Sequence, residues 1–117
     1  MEIQRGHIYL VDFNPSKASE TKVGSEILKR RPALVLTRNA FNNARRTVVV
    51  VPLSSSPRAA PPLVVSVPSA GEQSVAMCDQ VTAINKATRI ERHIGKLVAN
   101  DLRAVESAVR EVLGLES

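Results

Sequence analysis

For most of its length the chain groups apolar residues in short β-type runs, and only the last segment changes to a helical period. Residues 7–13 (His7-Ile8-Tyr9-Leu10-Val11-Asp12-Phe13) alternate and are rich in β-formers, which predicts a first strand closed by the turn chemistry of Asn14-Pro15. Residues 16–31 are polar and aperiodic and read as a long exposed loop. Pro32 suits only the start or edge of a strand, so the second strand is expected over 32–37. Asn39 is placed to cap a short helical turn over 40–44. Residues 47–53 (Thr47-Val48-Val49-Val50-Val51-Pro52-Leu53) are the most β-branched stretch and the expected central buried strand. A second loop leaves it at Ser54-Ser55-Ser56-Pro57-Arg58. Further strand signals occupy 63–67, 74–78 and 80–84, the last two being separate strands or one bent one. A helical turn is expected over 86–92 and a short strand over 94–97. Finally Leu102, Val105, Ala108, Val109, Val112 and Leu113 fall on one helical face, with Asn100 or Asp101 as N-cap and Gly114 as the stop.

This order predicts a mainly β fold with short helices (α+β), a small, strongly curved barrel carrying a C-terminal helix. Residues 1–117 form one domain with room for a real core. No apolar run approaches the roughly 18 residues of a membrane span, and the N-terminus has no hydrophobic signal region, so a cytoplasmic location is expected. One cysteine, Cys78, excludes an internal disulfide, and His7 and His93 lie far apart with no ligand spacing, so neither a metal nor another cofactor is expected.

Charge narrows the partners. The net charge is +5, yet from Asp101 onward two arginines face four carboxylates, so the rest of the chain carries the whole positive surplus. A cationic body favours a polyanion through counterion release. With only Tyr9, Phe13 and Phe41 as aromatics, a broad base-stacking platform is absent. The densest candidate chemistry is Gly24-Ser25-Glu26-Ile27-Leu28-Lys29-Arg30-Arg31-Pro32. Arg31, at the foot of a strand, has a planar fork matched to paired phosphate oxygens, although three cations before a strand also suit a solvated flank that blocks edge pairing.

The motifs Arg5-Gly6, Val11-Asp12-Phe13-Asn14-Pro15, Gly24-Ser25-Glu26, Arg31-Pro32, Asn42-Asn43, Val51-Pro52-Leu53-Ser54-Ser55, Ser74-Val75-Ala76, Asp79-Gln80-Val81 and Ile94-Gly95-Lys96-Leu97 follow one another in an order that resembles the MazF/PemK family of toxin endoribonucleases. The resemblance implies an SH3-like barrel of the MazF/PemK/CcdB type. It also implies metal-independent cleavage of single-stranded RNA at short sequences by a homodimer, blocked by an acidic segment of a MazE-like antitoxin. Its two main functional positions fall on Arg31 and Ser54; many members have threonine at the latter. Two departures stand out. His7 replaces an acidic residue in the usual Arg-Gly-Asp opening, and the loop before Gly24 is longer, by residues 16–23.

Such chemistry needs no metal-bound water, because RNA carries its own nucleophile, the 2′-hydroxyl. The protein must align it and stabilise charge on the phosphate. Arg31 and Ser54 supply donors. A guanidinium is a poor base, so Arg31 acts electrostatically or, as the resemblance implies, also in proton transfer. Glu26 is the nearest carboxylate in sequence for the base, or else it orders the loop through Lys29 or Arg30. Ser25, Lys29, Arg30, Asn42, Arg45, Arg46, Ser55, Gln80 and Lys86 are the candidate RNA contacts; for each single cation a solvated basic face is the preferred alternative, and for Asp79-Gln80 the structural role is preferred to lining the RNA groove. His93 is expected as a satisfied residue at a strand end and Cys78 as a small core residue. Two readings compete with the enzyme: a CcdB-like gyrase inhibitor, and an RNA-binding SH3-like module without catalysis.

Overall fold

The computed structural model describes residues 1–14 and 30–115. The first alternating run forms β1 (His7–Asp12), which pairs antiparallel with β2 (Arg30–Val35) on one side. After helix α1 (Asn39–Ala44) the valine-rich run forms β3 (Thr47–Ser54). β2 lies along one side of β3. The other side is shared by two strands, β6 (Thr82–Asn85) over residues 47–50 and β5 (Val75–Met77) over Leu53 and Ser54. Pro52 falls in the gap between them, where a strand residue without an N–H is least disruptive. The short β4 (Val64–Ser66) extends the sheet beyond β5. A turn of helix, α2 (Lys86–Arg89), leads into β7 (Ile90–Lys96), which pairs with β1 at the opposite edge. The sheet therefore curls like a barrel without closing, running β4-β5-β3-β2-β1-β7.

Alternation along the central strands feeds two apolar layers. Leu34, Val51 and Leu53 face the C-terminal helix α3 (Ala99–Leu113) and pack with its Val105 and Ala108. Ala33, Val35, Val48 and Val50 face the other way with Tyr9 and Val11. Burying a side chain such as Leu34, which is fully inaccessible, contributes about 1.5–3 kcal/mol. Both faces of β3 are filled, as expected for a central strand. α3 ends in a Schellman cap, with Gly114 at φ 71° and the Gly114 and Leu115 N–H groups donating to the Glu111 and Arg110 carbonyls. No helix among the described residues is long and apolar enough to cross a membrane.

Several local expectations need correction. β2 begins at Arg30, two residues before the proline, because Arg30 and Arg31 pair with Asp12 and Val11 of β1. The helical turn at 86 stops at Arg89, and β7 starts at Ile90 rather than at Ile94. Asn39 does not cap α1; its Oδ1 accepts the Arg5 N–H, and Arg38 takes the N-cap position without a side-chain bond. Asp101 does not cap α3 either, since its carboxylate accepts from the Ser69 N–H and hydroxyl. Leu113 leaves the packed stripe and is 53% exposed.

Candidate active site

The β2–β3 register joins the two residues of most chemical interest. Ala33 stands opposite Pro52. Continued toward the β2 N-terminus, that register brings Arg31 opposite Ser54, and Arg31 Nη1 donates to Ser54 Oγ at 3.1 Å. The same oxygen accepts the Ser56 N–H at 3.3 Å, which leaves the hydroxyl proton free to donate outward. Arg31 is thus carried by a strand anchored to β1, not by a loop. Its Nε is buried and has no partner among the described residues.

A cavity of about 340 Å³ opens beside this pair. Ile8, Pro32, Leu53, Ala70 and Ile94 make an apolar wall, while Arg30, Arg31, Ser54, Ser55 and Ser74 supply donors. Low-dielectric walls strengthen a guanidinium's hold on an anion. Two irregularities in the β1–β7 ladder shape the rim. Ile8 pairs with Gly95 and Tyr9 with His93, so Ile94 is an extra residue; Leu10 pairs with Arg92 and Val11 with Ile90, so Glu91 is another. Such bulges re-aim side chains. Ile94 lines the cavity, and Glu91 accepts from Arg30 Nε at 2.7 Å. Arg89 fixes the same corner by donating to the Asp12 and Asn14 carbonyls. The set has the composition of an anion site with a hydrophobic floor.

A family model for "PemK-like, MazF-like toxin of type II toxin-antitoxin system" matches residues 4–113. The chain belongs to this toxin family. It is 32% identical to the endoribonuclease PemK of Escherichia coli, over 97% of this chain and 78% of that protein. It is 30% identical to the endoribonuclease MazF6 of Mycobacterium tuberculosis H37Rv, over 98% of this chain and all of that protein. The crystal structure of MazF (Form-I) from Deinococcus radiodurans superposes with a TM-score of 0.82 at 25% identity, covering 98% of this chain and 99% of that one.

Within this MazF/PemK-like chain, the fold sorts the other candidates. Ser55 and Arg30 line the cavity with Arg31 and Ser54. Ser25, Glu26 and Lys29 lie outside the described residues. Asn42 is buried within the protein rather than presented to a ligand: it is 1% exposed, and its amide nitrogen donates to the Thr37 carbonyl at 2.8 Å and to Asn39 Oδ1 at 3.3 Å. Lys86 is engaged too, its ammonium donating to the Asn42 carbonyl at 2.5 Å. Both lie near the Thr47 end of β3, away from the cavity at Ser54, and so does the exposed Arg45. Gln80 belongs to a 3₁₀ turn, Cys78–Gln80, between β5 and β6, and does not line the cavity. Cys78 is a core residue, as expected, and burial pushes its thiol up to about 11.

Sequence reading missed three features. Ser74 and Ile94 join the cavity through pairings no local pattern displays. Arg89 had no signal, because the turn expected over 86–92 hides the start of β7 directly after it. His7 and His93 meet, with Nδ1 and Nε2 at 2.9 Å, and His93 stands within β7 against the Tyr9 ring, not at a strand end. Burial, then His93 and Lys96, lowers the His7 pKa below its ordinary value. No group of three His, Cys, Asp or Glu among the described residues is arranged to hold a metal.

Proposed function

We propose that this protein is an endoribonuclease toxin that cleaves single-stranded RNA at short sequences, using the RNA's own 2′-hydroxyl. The observation that carries the reading is the Arg31–Ser54 contact at the mouth of a part-apolar cavity, in a chain whose relatives are endoribonucleases. A scissile phosphate placed there would meet the guanidinium fork and the outward Ser54 proton. The 2′-oxygen attacks phosphorus and gives up its proton to a base, for which Glu26 is the candidate. The bond to the 5′-oxygen breaks, and that oxygen takes up a proton. The products are a 2′,3′-cyclic phosphate and a 5′-hydroxyl. Arg31 and Ser54 serve chiefly by stabilising charge on the phosphorane oxygens, the largest single contribution in many such sites. Metal ions have no assigned step. The functional unit is a homodimer, and the antitoxin neutralises it by laying an acidic segment over the cationic cavity; membership of a toxin–antitoxin family supports that partner.

The test is incubation of the purified protein with a long single-stranded RNA in EDTA, with the fragment ends mapped. Cyclic-phosphate and 5′-hydroxyl ends, lost with Arg31→Ala, are expected. Intact RNA that is nonetheless retained in a shift assay would make the protein a binding module. Neither cleavage nor retention would move the reading to a gyrase-type inhibitor.

A further inference from the structure

The cavity occupies the Ser54 end of β3. The Thr47 end carries a second cationic surface that the cleavage chemistry does not use. Arg38, Arg45 and Arg46 are exposed around α1, and Phe41 of the same helix leaves 52% of its surface in solvent. The Arg38 guanidinium carbon stands 6.0 Å from the Phe41 ring centroid, at the outer limit of a cation–π contact. Residues 38–46 include no Asp or Glu. The two ion pairs found among the described residues, Arg5–Glu106 and Arg30–Glu91, leave these three arginines out.

The helix bearing this surface is well fixed. Asn42 anchors its inner side to the Thr37 carbonyl, Lys86 ties down the Asn42 carbonyl, and Asn39 holds the Arg5 N–H. A merely solubilising face has no use for an exposed phenylalanine, and three cations with no carboxylate in the segment favour a polyanion. An exposed ring among guanidinium groups is the combination that holds unpaired nucleotides, the ring taking a base and the cations its flanking phosphates.

We propose that the α1 surface is a second RNA contact. Phe41 stacks one unpaired base, and Arg38, Arg45 and Arg46 hold neighbouring phosphates, so the strand is gripped at both ends of β3. This inference rests on the reading of single-stranded RNA as substrate. β3 has eight residues, so its ends are about 23 Å apart at roughly 3.3 Å per step. That distance suits the footprints of about 4–16 nucleotides known for small β-barrel binders of single strands. Stacking tolerates any base, so this contact adds affinity for longer RNA and leaves the choice of cleavage sequence to the cavity.

The experiment compares two labelled RNAs sharing one cleavage site, a short one and one extended by unpaired nucleotides on both sides. Binding is read by fluorescence anisotropy and cleavage by initial rates, for the native protein, Phe41→Ala, and the triple variant Arg38→Gln, Arg45→Gln, Arg46→Gln. The native protein is expected to prefer the extended RNA. Each variant should lower that preference about 5- to 10-fold, the modest end of base-stacking contributions. The triple variant should also flatten the salt dependence of extended-RNA binding by about 2 in log–log slope, at roughly 0.7 per phosphate. An unaltered preference, or equal losses on both RNAs, overturns the second contact while cleavage itself stands. A native protein that neither binds nor cleaves either RNA overturns both readings.

Discussion

Arg31 and Asn42 stand beside opposite ends of β3, and each has one buried polar atom without a partner among the described residues: Nε of Arg31 and Oδ1 of Asn42. Their surroundings differ. Asn42 is enclosed, its other amide atom already bonded to Thr37 and Asn39. Arg31 borders the 340 Å³ cavity, with Ser54 holding only one of its donors. An unpaired buried atom therefore does not by itself mark a site. What distinguishes Arg31 is a permanent charge with space beside it for an anion. Asn42 fixes the backbone that leads from β2 into α1; Arg31 keeps capacity for something that is not part of the chain.

Exchanging the two side chains for alanine should separate those roles. Arg31→Ala is expected to lower single-turnover cleavage about 10²- to 10³-fold, the effect of removing one preorganised donor to a developing oxyanion, with little change in the urea midpoint. Asn42→Ala should do the reverse. It strips the half-buried Thr37 carbonyl of a donor, lowering unfolding free energy by about 1–3 kcal/mol while cleavage per folded molecule stays near native. Matching losses of cleavage in both variants, with stability intact, would erase the contrast. Ser54 sharpens it further. Ser54→Ala removes one donor but leaves the guanidinium, so a smaller loss of about tenfold is expected. Ser54→Thr keeps the hydroxyl and suits a strand, and should recover most of that loss.

How far the sequence could be read follows the same division between local and long-range order. β1, β3 and α3 were legible because one period persists through each, and because Gly114 marks a helix end that needs a left-handed residue. Arg31 and Ser54 were identified through a motif order resembling a family; nothing local in the chain states that they touch. Their contact depends on the register of β2 against β3, a property of pairing between distant segments. The same holds for Ile94 and Glu91, which reach the cavity rim through bulges one residue wide. Asn42 belongs to a residue type that suits both a nucleic-acid contact and a buried amide, and only burial distinguishes them. Lys86 shows the same limit, since a cation's charge says nothing about the carbonyl it meets.

The smallest expected effect concerns the two histidines, which pair where Arg31 and Asn42 do not. His7 Nδ1 and His93 Nε2 share a hydrogen bond at 2.9 Å across β1 and β7, with Lys96 opposite His7 in the ladder and the Tyr9 ring against His93. A neutral pair satisfies this geometry, one ring donating and the other accepting; a second proton sets two cations face to face beside Lys96. Burial, His93 and Lys96 all lower the His7 pKa from 6.5. Between that value and the lower folded one, the unfolded chain binds more protons, so stability rises with pH. The contribution is complete above about pH 6.5 and is lost as pH falls through the folded pKa. Urea unfolding from pH 8 to pH 5 should therefore show a steeper acid decline for the native chain than for His7→Gln. Parallel declines would mean that the proton demand lies elsewhere.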